Sequence, residues 1–325
     1  MTAIAHAADY SAPPGMASPR EAEAFISRLI HDPAFVSTGA VHAQADGCWW
    51  SVVHPRAHPL RVWRTSAPLG YGRTGLELDA AVFTNGPMMG KRDGSGVKIT
   101  RRSAGIMFAG LPIAGIMAGL LVTRLWPGLP SPFYRLCAIG GAALGGLLAV
   151  CAVFRNWIPC GAIRSMRSGI DDNRNFDQEG DTHAWFARWG EDFASYRIGT
   201  GTLPDGAREG LGGLILLVRS FVPSSNVPGA PGFDRDFAQL SEKTGVVAWG
   251  LLPLRRHGLD GVILVVGSQH LDCRAITAKL RLLGVRDAVA MDQSGCIMMG
   301  TGGHFMIGPP PLYRQAMQTY GLCCA

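Results

Sequence analysis

Two short motifs stand out as able to do chemistry: an asparagine–glycine pair, Asn85-Gly86, and an acid, Asp292, each at the end of an apolar run that reads as a strand. Ala80 to Phe83 leads into Thr84, Asn85, Gly86 and Pro87, where a backbone turns sharply and exposes polar groups. Ala288 to Met291 delivers Asp292, followed by Gln293, Ser294 and Gly295. An acid at a strand tip in an α/β arrangement normally faces a cleft, although the same residue can simply cap the turn after a buried strand. Other chemistries find no support. No HExxH, GxSxG, Walker GxxxxGK[ST] or strand-linked GxGxxG occurs, so zincins, α/β-hydrolases and nucleotide binders lack their defining residues. The nine histidines are scattered without ligand spacing, and the eight cysteines include no CxxC, so neither a structural metal nor a disulfide framework is expected. Asp171, Asn173 and Asn175 imitate half of a calcium loop, but Phe176 stands where that loop needs glycine. No cofactor is expected.

The elements that must position these residues alternate between strand and helix. Residues 1 to 17 read as a loose arm. A helix follows, with Ser18 as N-cap, Pro19 in the first turn and Glu21 closing a capping box. Trp49 to Val53 and Leu60 to Trp63 read as strands, as do Leu211 to Arg219, Gly245 to Leu252 and Val262 to Val266. Gly169 to Tyr196 is polar, acidic and aromatic, and Pro223 to Gly232 reads as a loop. Asp272 can cap a helix whose apolar Ile276, Leu280 and Leu283 share one face, with Gly284 ending it, and the strand to Asp292 comes next. Ile297 to Met299 reads as the returning strand.

The runs Ser103 to Thr123 and Leu136 to Phe154 carry no charge, and each as a helix would reach roughly 30 Å, the thickness of a bilayer core. The expectation is therefore an α/β fold, a mixed sheet flanked by helices, with an inserted two-helix transmembrane hairpin over 101–155. Residues 1–39 would form the arm and first helix, and 40–100 with 156–325 one discontinuous domain. Gly115 and Gly119, like Gly141 and Gly145, are spaced to let two backbones approach closely. Lys91, Arg92, Lys98, Arg101, Arg102, Arg155, Arg164 and Arg167 flank the runs, against Arg124 and Arg135 in the connector. That bias, with no cleavable signal at the N-terminus, predicts a membrane protein whose domain faces the cytoplasm, the alternative being an extracytoplasmic face. The net charge of +6 is concentrated at those flanks, which points to a lipid bilayer as partner and away from nucleic acid. Cys151, Cys160, Cys323 and Cys324 are candidates for acylation, or ordinary thiols.

In their order along the chain, the strand ends resemble the phosphodiester glycosidase family. The matching segments are AVFTNG (Ala80 to Gly86), GLGGLILLV (Gly210 to Val218), KTGVVAWG (Lys243 to Gly250), and VILVVGSQ followed by ITAKLRLLGVRDAVAMDQSG. The resemblance covers about residues 40–100 and 160–310. It implies that Asn85, Gly86, Gly213, Lys243, Thr244 and Gln293 bind substrate and that Asp292, assisted by Ser294, carries the chemistry. Hydrolysis at an anomeric carbon bonded to phosphate wants a carboxyl group and a cation, here Asp292 and Lys243. Gln293 and Ser294 replace two glycines of the family's Asp-Gly-Gly, Cys296 falls near a usual serine, and Lys243 replaces an arginine, giving a point charge in place of a bidentate fork. The implied function is a membrane-anchored hydrolase removing a sugar from a phosphodiester-linked glycan or glycolipid. The alternative is a catalytically degenerate protein that binds sugar-phosphate or lipid-linked glycan, or scaffolds a membrane complex. The sequence leaves the oligomeric state open.

Overall fold

The computed structural model describes residues 16–64, 71–86, 89–91, 101–126, 131–154, 157–159, 163–172, 183–227, 244–293, 297–308 and 320–325. These fall into two compact units, residues 1–88 with 159–325, and residues 89–158. Of the expected site residues, Lys243 and Ser294 lie outside the described residues, as do Cys160, Cys296 and most of the calcium-like segment.

The larger unit begins with α1 (Pro19–Ile30) and α2 (Pro33–Thr38). The capping box forms as its residue types demand: Ser18 Oγ accepts from the Glu21 N–H at 3.3 Å, and Glu21 Oε2 accepts from the Ala17 N–H at 2.9 Å. The hairpin β1 (Ala40–Ala45) and β2 (Cys48–Val53) turns through Asp46 and Gly47, both at positive φ, the conformation that an Asp-Gly turn favours. β3 (Leu60–Arg64), α3 (Tyr71–Glu77) and β4 (Val82–Asn85) complete the first stretch.

The smaller unit holds the paired strands β5 (Met89–Lys91) and β6 (Trp157–Pro159) and two long helices, α4 (Arg101–Leu125) and α5 (Ser131–Phe154). The helices cross at their glycines: a Cβ on Gly115 would sit on the Gly141 carbonyl, and one on Gly145 on the Leu111 carbonyl. Among the described residues no helix is long and apolar enough to cross a membrane. This overturns the inserted transmembrane hairpin, and with it the two-span localisation, the cytoplasmic orientation and the membrane assignment. An uncharged run reaches bilayer length by rise alone, whereas apolarity comes from side-chain surface, which glycine lacks and alanine barely has. Gly115, Gly119, Gly141 and Gly145 stand where the helices meet. Ile113, Met117, Leu121, Leu136 and Ile139 on the hairpin are exposed.

The larger unit then resumes with β7 (Ile163–Ser165), β8 (Ile170–Asp172), β9 (His183–Arg188), β10 (Tyr196–Thr200), β11 (Glu209–Arg219) and β12 (Val222–Pro223). It continues through β13 (Val246–Pro253), β14 (Gly261–Ser268), α6 (Cys273–Leu282), β15 (Asp287–Gln293), β16 (Met299–Thr301), β17 (His304–Ile307) and β18 (Tyr320–Cys324). Eleven strands form one sheet, with the path β1-β2-β14-β13-β15-β11-β7-β8; five form a second, β17-β16-β4-β18-β3. β14 and β15 are both antiparallel to β13, so they run in the same direction with α6 crossing between them. The Asp272 cap and the Gly284 stop of α6 stand where the sequence put them: Asp272 Oδ1 accepts from Ala275 N at 2.8 Å, and Gly284 has φ +76°.

Among the described residues four apolar clusters hold this unit, the smallest around Trp185 and Leu203. Phe25, Leu29, Ile276 and Leu280 of the helices pack on Trp50, Val52, Leu264 and Val266 on one face of the large sheet. Its other face, with Trp249, Val265 and Val289, meets Val62, Val82, Met299 and Leu322 of the small sheet. Trp63, Phe83 and Cys323 make a third cluster beyond the small sheet, near Leu76 of α3. Burying a side chain such as Leu264 or Val289 contributes about 1.5–3 kcal/mol. The result is an α/β fold in which helices flank two stacked sheets.

Candidate functional site

The expected site residues come from four segments, and the sheet register decides which meet. At its C-terminal half β11 lies between β15 and β9, Ile215 pairing with Ala290 on one side and His183 on the other. At its N-terminal half the neighbour changes: Glu209 pairs with Ser165 of β7 and Arg188 of β9. β15 and β7 therefore share one edge of β11, and Gly212 and Gly213 fall in the interval between them. Gly213 has φ +75°, and the pairing with β9 slips between Leu211 and Leu214. A residue with a Cβ resists that conformation, so the double glycine is what allows the irregularity. The pairing of β11 with β15 begins at Ile215–Ala290, so Gly213 lies just outside the paired stretch, toward the end of β15 that carries Asp292.

β13 adds a third contributor from the opposite side of β15. Val246 pairs with Gln293, and Gly245 just before it has φ +88°, so Thr244, exposed, sits beside the tip of β15. The fourth contributor is the C-terminal end of β4 in the small sheet. The chain leaves β15 after Gln293 and enters the small sheet at β16, where Met299 pairs with Thr84. Asn85 fastens this crossing. Its Oδ1 accepts from Met298 N at 2.8 Å, and its own N–H donates to Met298 O at 3.3 Å. Asn85 is fully buried, and Gly86 is buried beside it.

Thr84 was not singled out by the sequence, yet it links the sheets. Its Oγ1 accepts from Trp249 Nε1 at 2.9 Å, and its carbonyl accepts from Trp63 Nε1 at 3.2 Å. Both indoles are buried and each needs an acceptor, so Thr84 satisfies one on either side of the small sheet. The only hint in the sequence was a polar pair closing an apolar strand.

The structure thus places Asp292, Gln293 and Thr244 at neighbouring ends of β15 and β13, with Gly213 inside β11, and ties Asn85 to the crossing through Met298. The amide oxygen of Asn85 also has a structural task, since it holds the chain crossing. Cys323 and Cys324, candidates for acylation, are buried in β18; burial pushes the Cys323 thiol up to about 12 and the Cys324 thiol well above its ordinary range. Among the described residues no group of three or more His, Cys, Asp or Glu is placed to hold a metal ion. A break in a ladder, lined by glycine backbone and adjoining a carboxylate-bearing strand tip, can receive a polar ligand close to the main chain.

No family model matches the chain, and no curated protein matches it in sequence. Among solved structures it aligns with the catalytic domain of zebrafish N-acetylglucosamine-1-phosphodiester alpha-N-acetylglucosaminidase, auto-inhibited by its pro-peptide. The identity is 14% and the TM-score 0.45, over 85% of this chain and 76% of that one. It also aligns with a hypothetical protein from Synechocystis at 13% identity and TM-score 0.41, over 87% of this chain and 63% of that one. These are distant likenesses of fold.

Proposed function

We propose that the chain is a hydrolase of the phosphodiester glycosidase type, removing a sugar from a phosphodiester. The observation that carries this reading is the convergence at one end of the large sheet. The Gly213 irregularity, the Asp292 tip of β15 and the Thr244–Gly245 start of β13 are far apart in sequence and lie on three neighbouring strands. In this reading Asp292 serves as the acid, base or charge-stabilising carboxyl group, and Lys243 holds the phosphate as a point charge. Thr244, Gln293 and the backbone at Gly213 bind the sugar phosphate, with Ser294 assisting Asp292. In this reading Asn85 and Gly86 stand where the chain crosses to the small sheet, and Asn85 Oδ1 accepts from Met298 N there.

A second reading, binding without turnover, is favoured by one observation: the side-chain oxygen of Asn85 is already engaged by Met298, which leaves the family's asparagine occupied. A panel of sugar phosphodiesters bearing chromogenic leaving groups separates the two. Turnover by the wild type that falls by about 100-fold or more in Asp292→Asn supports the hydrolase. Equal turnover by both proteins removes Asp292 from the mechanism. Saturable binding with no turnover across the panel establishes the second reading.

A further inference from the structure

The fold gathers three histidines that the sequence keeps far apart. His31 at the end of α1, His54 after β2 and His257 in the β13–β14 connection line one cavity of about 470 Å³. That volume lies within the range of small-molecule sites and exceeds what a single inorganic ion needs. The His31 ring is oriented by its backbone: Nδ1 lies 2.7 Å from the Ser27 carbonyl, to which it donates, so Nε2 is the nitrogen left for another partner. The His257 ring meets it edge-on, with centroids 6.4 Å apart. Ile30, Phe35, Val36 and Leu259 supply an apolar wall, and Val36 is 73% exposed at its mouth.

The charge around the cavity selects the ligand. No carboxylate lines it, and these histidines form no metal-holding group. Arg255 and Arg256 precede His257 on the same exposed turn. Arg56 and His58 face His54 from its own loop, while Asp260 faces it from the β13–β14 connection. Arg56 is engaged by Asp192, and the Oδ1 of Asp32, next to His31, accepts from Ala34 N. Burial, then Arg56, pulls the His54 imidazole below its ordinary range, an effect only partly offset by Asp260.

We propose that this cavity is a binding site for a small amphiphilic carboxylate, with its apolar body against Phe35, Val36 and Leu259 and its carboxylate on the imidazoles of His31, His54 and His257. An anion is held more strongly by charged than by neutral imidazoles, and affinity therefore rises as pH falls.

Benzoate and hexanoate are the probes, followed by the histidine ring signals in NMR and by calorimetry, with benzyl alcohol and inorganic phosphate as controls. Both carboxylates are expected to bind saturably, about tenfold more tightly near pH 6 than near pH 8. Benzyl alcohol should bind at least about tenfold more weakly than benzoate, since it cannot use the charged donors. His257→Gln should flatten the pH dependence. Val36→Asp, at an exposed position that leaves the fold intact, should weaken carboxylate binding by about tenfold or more through repulsion. Alcohol binding as well as carboxylate, phosphate binding better than either, pH-independent affinity, or an unaffected Val36→Asp variant overturns the proposal.

Discussion

Replacing Asn85 with alanine separates a structural asparagine from a ligand-binding one. The side chain is fully buried, and its Oδ1 accepts the Met298 N–H at 2.8 Å where the chain passes from the large sheet to the small. Alanine leaves that N–H buried without its partner, at about 1–3 kcal/mol. The missing carboxamide also leaves a small void, which adds to the loss in proportion to how little its neighbours relax. For a unit of this size each kcal/mol moves the thermal midpoint by about 2–4 °C, so the expected drop is roughly 2–12 °C. Asn85→Asp keeps an oxygen for Met298 but places a charge in an apolar layer, and it should destabilise at least as much. Differential scanning calorimetry reads both variants, beside binding or turnover of a sugar phosphodiester measured well below the midpoint. An Asn85→Ala protein with an unchanged midpoint and lost binding would refute the structural assignment and return Asn85 to the ligand.

Three further outcomes follow from buried groups. Gly141→Leu would drive a side chain into the Gly115 carbonyl, so α4 and α5 must separate, at about 1–3 kcal/mol, and limited proteolysis should cut the hairpin several-fold faster than in the wild type. Burial, with the nearby His304 and His58, lowers the His42 imidazole from 6.5 to about 4, and its Nδ1 lies 2.8 Å from Ser51 Oγ. Between those values the unfolded chain binds a proton that the folded one refuses. Stability is therefore complete above about pH 6.5 and falls toward pH 4 by up to about 1.4 kcal/mol per pH unit. Urea midpoints across that range should show this slope, and His42→Gln should reduce it to the part that His54 contributes in the same direction. Burial raises the thiols of Cys48, Cys273 and Cys323 to about 12, so iodoacetamide should leave them unmodified in the native protein and label them after unfolding, as read by peptide mass mapping.

Local signals were legible wherever a few adjacent residues decide the geometry. Ser18, Pro19 and Glu21 announced α1; Asp272, Ile276, Leu280 and Gly284 announced α6 and its ends; and the apolar runs of β11, β13, β14 and β15 read directly as strands. β1 was missed although Asp46-Gly47, followed by Cys48 to Val53, is a hairpin signal, because Ala40 to Ala45 interposes His42 and Gln44 and lacks an aliphatic run. β9 and β10 were hidden in a polar, aromatic stretch whose burial depends on partners elsewhere. The second sheet was legible only as separate strands at Leu60 to Trp63, Ala80 to Phe83 and Ile297 to Met299. Its strands are three to five residues long, and their pairing joins β3, β4 and β18 across most of the chain.

The hairpin of α4 and α5 shows the opposite error, where a local signal was read too far. Lack of charge and a bilayer-length rise made the runs look membrane-like, while the glycines spaced for close approach are the points at which the two backbones touch. The site was legible in the same partial way. Residue order pointed to Asp292 and Gly213, and register supplies what order lacks, because β11 exchanges β15 for β7 at the positive-φ glycine. A polar residue closing an apolar strand can serve a ligand or the backbone of a neighbouring segment, and the bond of Asn85 to Met298, more than two hundred residues later, could not be read from the sequence. His31, His54 and His257 make the converse case. No spacing could have joined them, so chemistry assembled from single residues on three connections emerges only when the fold is known.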